Sequence, residues 1–71
     1  MERLTSIFAE RLSALKIEKG LNNKQLEGEL KLGNGTVGKW EKQKSLPSAE
    51  CLVLLAKYFG VTTDYLLGLE D

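Results

Sequence analysis

Residues 21–41, LNNKQLEGELKLGNGTVGKWE, decide how this chain folds. They read as two short helices joined by a tight turn, the second opening on Gly33-Asn34-Gly35-Thr36. Asn22 is placed to cap the first helix, and Gln25, three residues on, reaches back to complete a capping box. Leu26 and Leu30 lie four apart on one helical face, and Val37 with Trp40 repeats the helical spacing beyond the turn. Leu32 falls in the turn itself. One apolar residue between two apolar stripes folds both stripes onto a single core, giving a bent helix pair whose second helix stays partly exposed.

The rest of the chain supplies that core. About residues 5–19 form helix 1, with Phe8, Leu12 and Leu15 at i, i+4 and i+7, Thr5 or Ser6 as cap, and Gly20 ending it in a left-handed conformation. Helix 2 covers about residues 23–30, where Gly28 costs about 1 kcal/mol against Ala and makes the helix depend on its packing. Helix 3 covers about residues 34–42. Steps of about 100° put Trp40 and Glu41 near the Val37 side, with Gly35, Gly38, Lys39 and Lys42 on the far side and Asn34 at the tip. Residues 43–47 are a loop, after which Ser48 caps helix 4 over about residues 49–59, whose stripe is Leu52, Leu55, Ala56 and Phe59. Gly60 closes it, Thr62 caps a short helix 5 over about residues 63–67 with Asp64 in its first turn, and Gly68 ends that helix. With no strand signal and no repeat, the expected fold class is all-α, five short helices.

Seventy-one residues bound the expectation at one domain with a small core, marginally stable or helped by a partner subunit. No apolar run reaches membrane-spanning length, and the opening MERLTSIFAERL places acids among its apolar residues without a cleavage pattern. One cysteine and no signal segment point to a reducing, cytoplasmic setting. Net charge is zero, but unevenly distributed. Residues 11–44 set eight cations (Arg11, Lys16, Lys19, Lys24, Lys31, Lys39, Lys42, Lys44) against four acids (Glu18, Glu27, Glu29, Glu41), a balance of +4. Residues 45–71 set Lys57 against Glu50, Asp64, Glu70 and Asp71, a balance of −3. Such a domain can turn a basic side to a phosphate backbone, although the same counts describe a mixed solvated surface.

Chemical motifs are few. Gly33 to Gly38 matches G-x-G-x-x-G, but a dinucleotide site needs a preceding strand and a βαβ unit of about thirty residues, and here a helix precedes it. Asn34-Gly35 lacks the alternating flanks of a hairpin, and the sequon Asn34-Gly35-Thr36 matters only in a secreted chain. The sequence has no histidine, which removes Cys/His and Ser/His nucleophile pairs and His-containing zinc sites; Cys51 reads as a small residue near the core of helix 4. The expectation is a non-enzyme without cofactor or metal.

An ordered set of residues now carries a resemblance. Leu15-Lys16-Ile17-Glu18-Lys19-Gly20-Leu21, then Leu26, Leu30, Thr36-Val37, Lys39-Trp40-Glu41, Pro47-Ser48, and Tyr58 through Gly68 (YFGVTTDYLLG) resemble the XRE family, the Cro and phage-repressor type of helix-turn-helix domain. The match runs from about residue 8 to residue 68, and the G-N-G-T opening of helix 3 looks like a branch common among small phage and prophage-like regulators. The resemblance implies a lambda-repressor-like domain over residues 1–71 with its helix-turn-helix at 22–42, homodimeric binding to double-stranded DNA, and transcriptional control, usually repression. It implies that Asn34 and Gly35 read base edges, that Lys39 reads from the next turn, that Asn23, Lys42 and Lys44 meet phosphates, and that Lys16 pairs structurally with Glu41. Glu27 departs from the small residue usual in the middle of helix 2, Lys31 from the usual turn glycine, and Asn23 from a longer Gln.

Side-chain chemistry adds detail. Asn34 suits adenine, Lys39 guanine and the Thr36 methyl thymine, while Lys24 and the amino terminus of helix 3 join the phosphate contacts. The glycine-bearing face of helix 3 allows deep insertion into a groove, or simply loosens the helix. The apolar end formed by Tyr65, Leu66, Leu67 and Leu69 is the expected dimer contact; the alternative keeps Leu66 in the core and leaves a modest patch. The rival expectation is a protein-binding module of the same fold, of antitoxin or anti-repressor type, in which helix 3 does not read DNA.

Overall fold

The computed structural model describes residues 2–70, with side chains from Leu4 onward. Five helices follow in order: α1 Glu2–Lys19, α2 Asn23–Glu29, α3 Thr36–Glu41, α4 Ala49–Phe59 and α5 Thr63–Leu67. Their apolar stripes meet at one centre. Phe8 and Leu12 from α1, Leu26 from α2, Val37 from α3, Leu55 from α4 and Leu66 from α5 are fully shielded from solvent, with Trp40 and Ala56 nearly so. Phe8 and Trp40 meet edge to face, ring centroids 5.9 Å apart, which joins α1 directly to α3.

The helix starts follow the sequence with two exceptions. The Asn22 side chain accepts from Gln25 N at 2.7 Å while Asn22 N donates to Gln25 Oε1 at 2.9 Å, the full capping box. Ser48 Oγ accepts from Cys51 N and Thr62 Oγ1 from Tyr65 N, fixing the starts of α4 and α5. In contrast, α1 begins at Glu2, so Thr5 and Ser6 lie inside the helix instead of capping it. Glu, Arg and Leu at residues 2–4 are good helix formers, and nothing in them stops the helix from extending backward. The second exception is α3, which opens at Thr36, two residues later than the spacing predicts.

All five helices close on the same pair of backbone hydrogen bonds, a Schellman arrangement. It needs a left-handed residue just past each helix. In α1, α4 and α5 that residue is Gly20, Gly60 and Gly68. In α2 and α3 it is Lys31, with φ 57°, and Gln43, with φ 61°. Gly68 is needed for space as well, because a Cβ there would stand 2.6 Å from the Ile7 side chain.

Leu66 requires a correction. It is fully buried in the core and belongs to no external patch. The outer turn of α5 is also partly used: Arg11 Nη1 donates to Tyr65 O at 2.5 Å and to Glu70 O at 2.6 Å, and its guanidinium lies 4.3 Å from the Tyr65 ring centre. The exposed large apolar residues are Ile17 on α1, Val53 and Leu54 on α4, and Leu69 after α5. Of these the sequence pattern pointed only to Leu69.

Lys31 holds a conformation that costs a residue with a Cβ about 1 kcal/mol, a cost glycine does not bear. Lys31→Gly therefore stabilises the fold by a net of about 0.5 kcal/mol after the greater freedom of an unfolded glycine. Thermal unfolding should register this as a rise of a few degrees; a fall in melting temperature would contradict the assignment.

Candidate nucleic-acid interface

Helix α3 is held at both ends by carboxylates, and that determines which of its atoms face solvent. At its start the cap position is Gly35, left-handed with φ 84° and without a capping side chain. The cap comes from α2. Glu27, only 6% exposed, accepts from Gly35 N through Oε1 at 3.2 Å and from Val37 N through Oε2 at 2.9 Å. Thr36 N, between them, donates to Gly33 O at 3.2 Å. Negative charge at a helix start is favourable, about 0.3–1 kcal/mol at an exposed site and more when partly buried. The expectation that the amino terminus of α3 meets a phosphate is thereby corrected: its first N–H groups already have internal acceptors.

At the other end Glu41 is drawn onto α1. Lys16 Nζ lies 2.5 Å from Glu41 Oε2, Ser13 Oγ donates to the same oxygen at 3.0 Å, and Asn23 Nδ2 donates to Glu41 Oε1 at 2.9 Å. Lys16 Nζ also donates to Asn23 Oδ1. The structural pair Lys16–Glu41 is thus present, enlarged to a four-residue cluster. Asn23 departs from expectation. Its oxygen and one N–H serve this cluster, so it braces α2 against α3 instead of standing free for a phosphate. Burial alone would raise the Glu41 carboxyl, but the hydrogen bonds from Lys16, Asn23 and Ser13, with the Lys16 charge, hold it below its ordinary value.

Between these anchors the outward side is open. Asn34, Gly35, Lys39, Lys42 and Lys44 are exposed, as are Lys24 on α2 and Lys31 in the turn; Thr36 and Gly38 are half-buried. Asn34 precedes α3 and sits in the exposed loop 33–35 instead of on its first turn. Lys42 and Lys44 follow α3 in a segment set by Gln43, with Lys44 N donating to Lys39 O at 2.9 Å. Two of the eight cations counted between residues 11 and 44 have turned inward, Arg11 onto α5 and Lys16 onto Glu41. Of the other six, Lys19 lies over the Tyr58 ring, and Lys24, Lys31, Lys39, Lys42 and Lys44 are exposed along α2, the turn, α3 and the segment after it.

A family model described as a helix-turn-helix domain matches residues 9–71. The chain belongs to this helix-turn-helix family. The XRE-type pattern read from the sequence agrees with it, as does the five-helix fold. Relatives include the HTH-type transcriptional activator BcrR of Enterococcus faecalis, 38% identical over 64 residues that make 90% of this chain and 31% of that protein. The uncharacterized HTH-type transcriptional regulator YobD of Bacillus subtilis is 31% identical over 92% of this chain and 58% of its own. The HTH-type transcriptional regulator ImmR of the same species is 29% identical over 90% of this chain and 50% of its own. The chain therefore spans between about a third and three-fifths of the length of these helix-turn-helix relatives. No helix among the described residues is long and apolar enough to cross a membrane.

Sequence reasoning missed Glu27 as a cap and Arg11 as a clamp. A signal for Glu27 existed: neither Gly33 nor Gly35 can cap α3 with a side chain, and a large acid replaces the small residue usual on the facing turn of α2. Arg11 gave no comparable signal, since its partners are backbone carbonyls of α5 and the segment after it.

The depressed Glu41 carboxyl gives a pH signature. Its contribution is complete above the ordinary carboxylate range and is lost as pH falls through the lowered value. Glu41→Gln should be less stable than wild type at neutral pH by on the order of 1–3 kcal/mol, with the gap narrowing in acid. Urea unfolding of both proteins across the acid range measures it; a gap independent of pH would mean the charge contributes nothing.

Proposed function

We propose that this chain is a sequence-specific DNA-binding transcriptional regulator that lays α3 in the major groove as a homodimer. The observation that carries the reading is the exposure of Lys39 on a helix fixed at both ends, with exposed Asn34 just before it and Lys42 and Lys44 just after. Asn34 is assigned to adenine and Lys39 to guanine, with the Thr36 methyl toward thymine and the Gly35 backbone in close approach. Lys24, Lys42 and Lys44 are assigned to phosphates. Names of the relatives, which include regulators and one activator, support regulation without fixing its sign. Repression follows where the operator overlaps a promoter, and cytoplasmic location follows from the target.

Two-fold pairing is part of the proposal because one six-residue helix reads few base pairs. A dimer spaces two such helices by about 34 Å, one turn of DNA. Leu69 with the outer parts of Tyr65 and Leu67 remains the candidate contact, without Leu66.

Selection of bound sequences from a random duplex pool tests the whole. The expected product is an inverted pair of half-sites spaced by about one helical turn. A lone half-site would remove the dimer, and no enrichment would favour the protein-binding module. On the selected operator, Asn34→Ala should relax one position by about 1–3 kcal/mol. Lys42→Ala should weaken all sequences alike and flatten the salt dependence by about one unit, the share of a single phosphate.

The bare face of α3 has its own test. Gly35 is left-handed, so a side chain there would strain the backbone and confuse the result. Gly38 is helical and nothing lies within 4 Å of its missing Cβ. If α3 sits deep in the groove, Gly38→Gln should weaken operator binding at least tenfold, about 1.4 kcal/mol, while raising thermal stability. Unchanged binding would leave the glycine without a role in recognition.

A further inference from the structure

The way α3 is capped points to a determinant of specificity that lies behind the reading surface. A helix start offers unpaired N–H groups, normally met by a Ser, Thr, Asn or Asp at the cap or by a bound anion. Here the cap position is a left-handed glycine. Gly35 N, Thr36 N and Val37 N are all engaged internally, two of them by a carboxylate reaching up from α2. Capping from beneath has two effects at the tip. It removes the need for a polar side chain at residues 33 and 35, leaving Asn34 as the one side chain of that loop. It also sets a negative charge directly under the loop, so a phosphate approaching the same N–H groups meets occupied donors and a like charge. Base edges are neutral and meet no such repulsion.

We propose that Glu27 is a specificity-determining positioning residue, which turns the tip of α3 from the DNA backbone toward the bases. The inference rests on the proposed DNA-reading function and adds a residue that touches no DNA. Its effect is on discrimination. Glu27 lowers affinity for arbitrary duplex at the tip of α3 and leaves the operator, read through Asn34, little affected.

Glu27→Gln keeps the shape and one acceptor oxygen while removing the charge; Glu27→Ala restores the small residue usual at this position and releases both N–H groups. Each full-length variant is compared with wild type for binding to the selected operator and to a random duplex of equal length, at several salt concentrations. Circular dichroism supplies the folded fraction. The expected result for Glu27→Gln is about fivefold tighter binding to random duplex with operator affinity unchanged or lower, so that the ratio of the two falls. Glu27→Ala should move further in the same direction. A merely structural role would scale both affinities by the folded fraction or, by loosening α3, lower operator affinity alone; in either case binding to random duplex does not tighten, and that outcome overturns the inference. If Glu27→Ala does not fold, the Gln variant decides alone. If neither folds, Glu27 belongs to folding only and the inference is likewise overturned. Wild-type protein without salt-dependent binding to any duplex would instead overturn the functional reading beneath it.

Discussion

A carboxylate held under the start of a short helix is the interaction on which the rest of this structure depends. Six residues are too few to make a stable helix in water, where nucleation is costly and isolated helices need roughly twice that length. Helix α3 exists because its surroundings fix it. Glu27 takes its first N–H groups, Val37 and Trp40 bury its inner side, and Glu41 ties its end to Lys16 on α1. These anchors tie α3 to α2, to the core and to α1, so the angle of α3 is a property of the whole fold. A surface assembled this way presents its outer side chains without the conformational loss that a mobile segment would suffer on ordering.

The charge distribution follows from the same arrangement. A count of cations along the chain suggests a broadly basic amino-terminal half, but the fold takes Arg11 and Lys16 out of that surface. Lys39, Lys42 and Lys44, on α3 and the segment after it, stay exposed. A chain of zero net charge thus still carries a run of exposed lysines at α3. It also places Asn23 among the braces, where a reading based on position alone puts it among the groups that meet DNA.

Most of the framework was legible in the sequence. The caps Asn22, Ser48 and Thr62, the closing glycines and the apolar stripes are local or periodic signals, and the structure places them as their spacing requires. The start of α3 was not legible to the same degree. Helical periodicity carries through Asn34 and Gly35, whereas the true boundary is set by a left-handed glycine and by a carboxylate eight residues earlier in the chain. A contact between elements has no period to betray it. Leu66 failed for a related reason: Leu66, Leu67 and Leu69 look alike in sequence, and only the angle at which α5 docks decides that Leu66 points inward and Leu69 outward. Lys31 and Gln43 hold left-handed conformations that glycine usually fills, so the turns around α3 were recognisable by position but not by residue type.

Capping α3 from behind has an evolutionary consequence. The residues that brace the helix (Glu27, Glu41, Lys16, Asn23) and those exposed on it or just before it (Lys39, Asn34) form separate sets. Exchanging the second set leaves the first untouched. Under the proposed DNA-reading function such a scaffold lends itself to re-lettering: paralogues could diverge to answer different addresses through two exposed positions while inheriting an unaltered chassis. Regulators that must coexist without cross-talk could arise from one ancestor in few mutational steps.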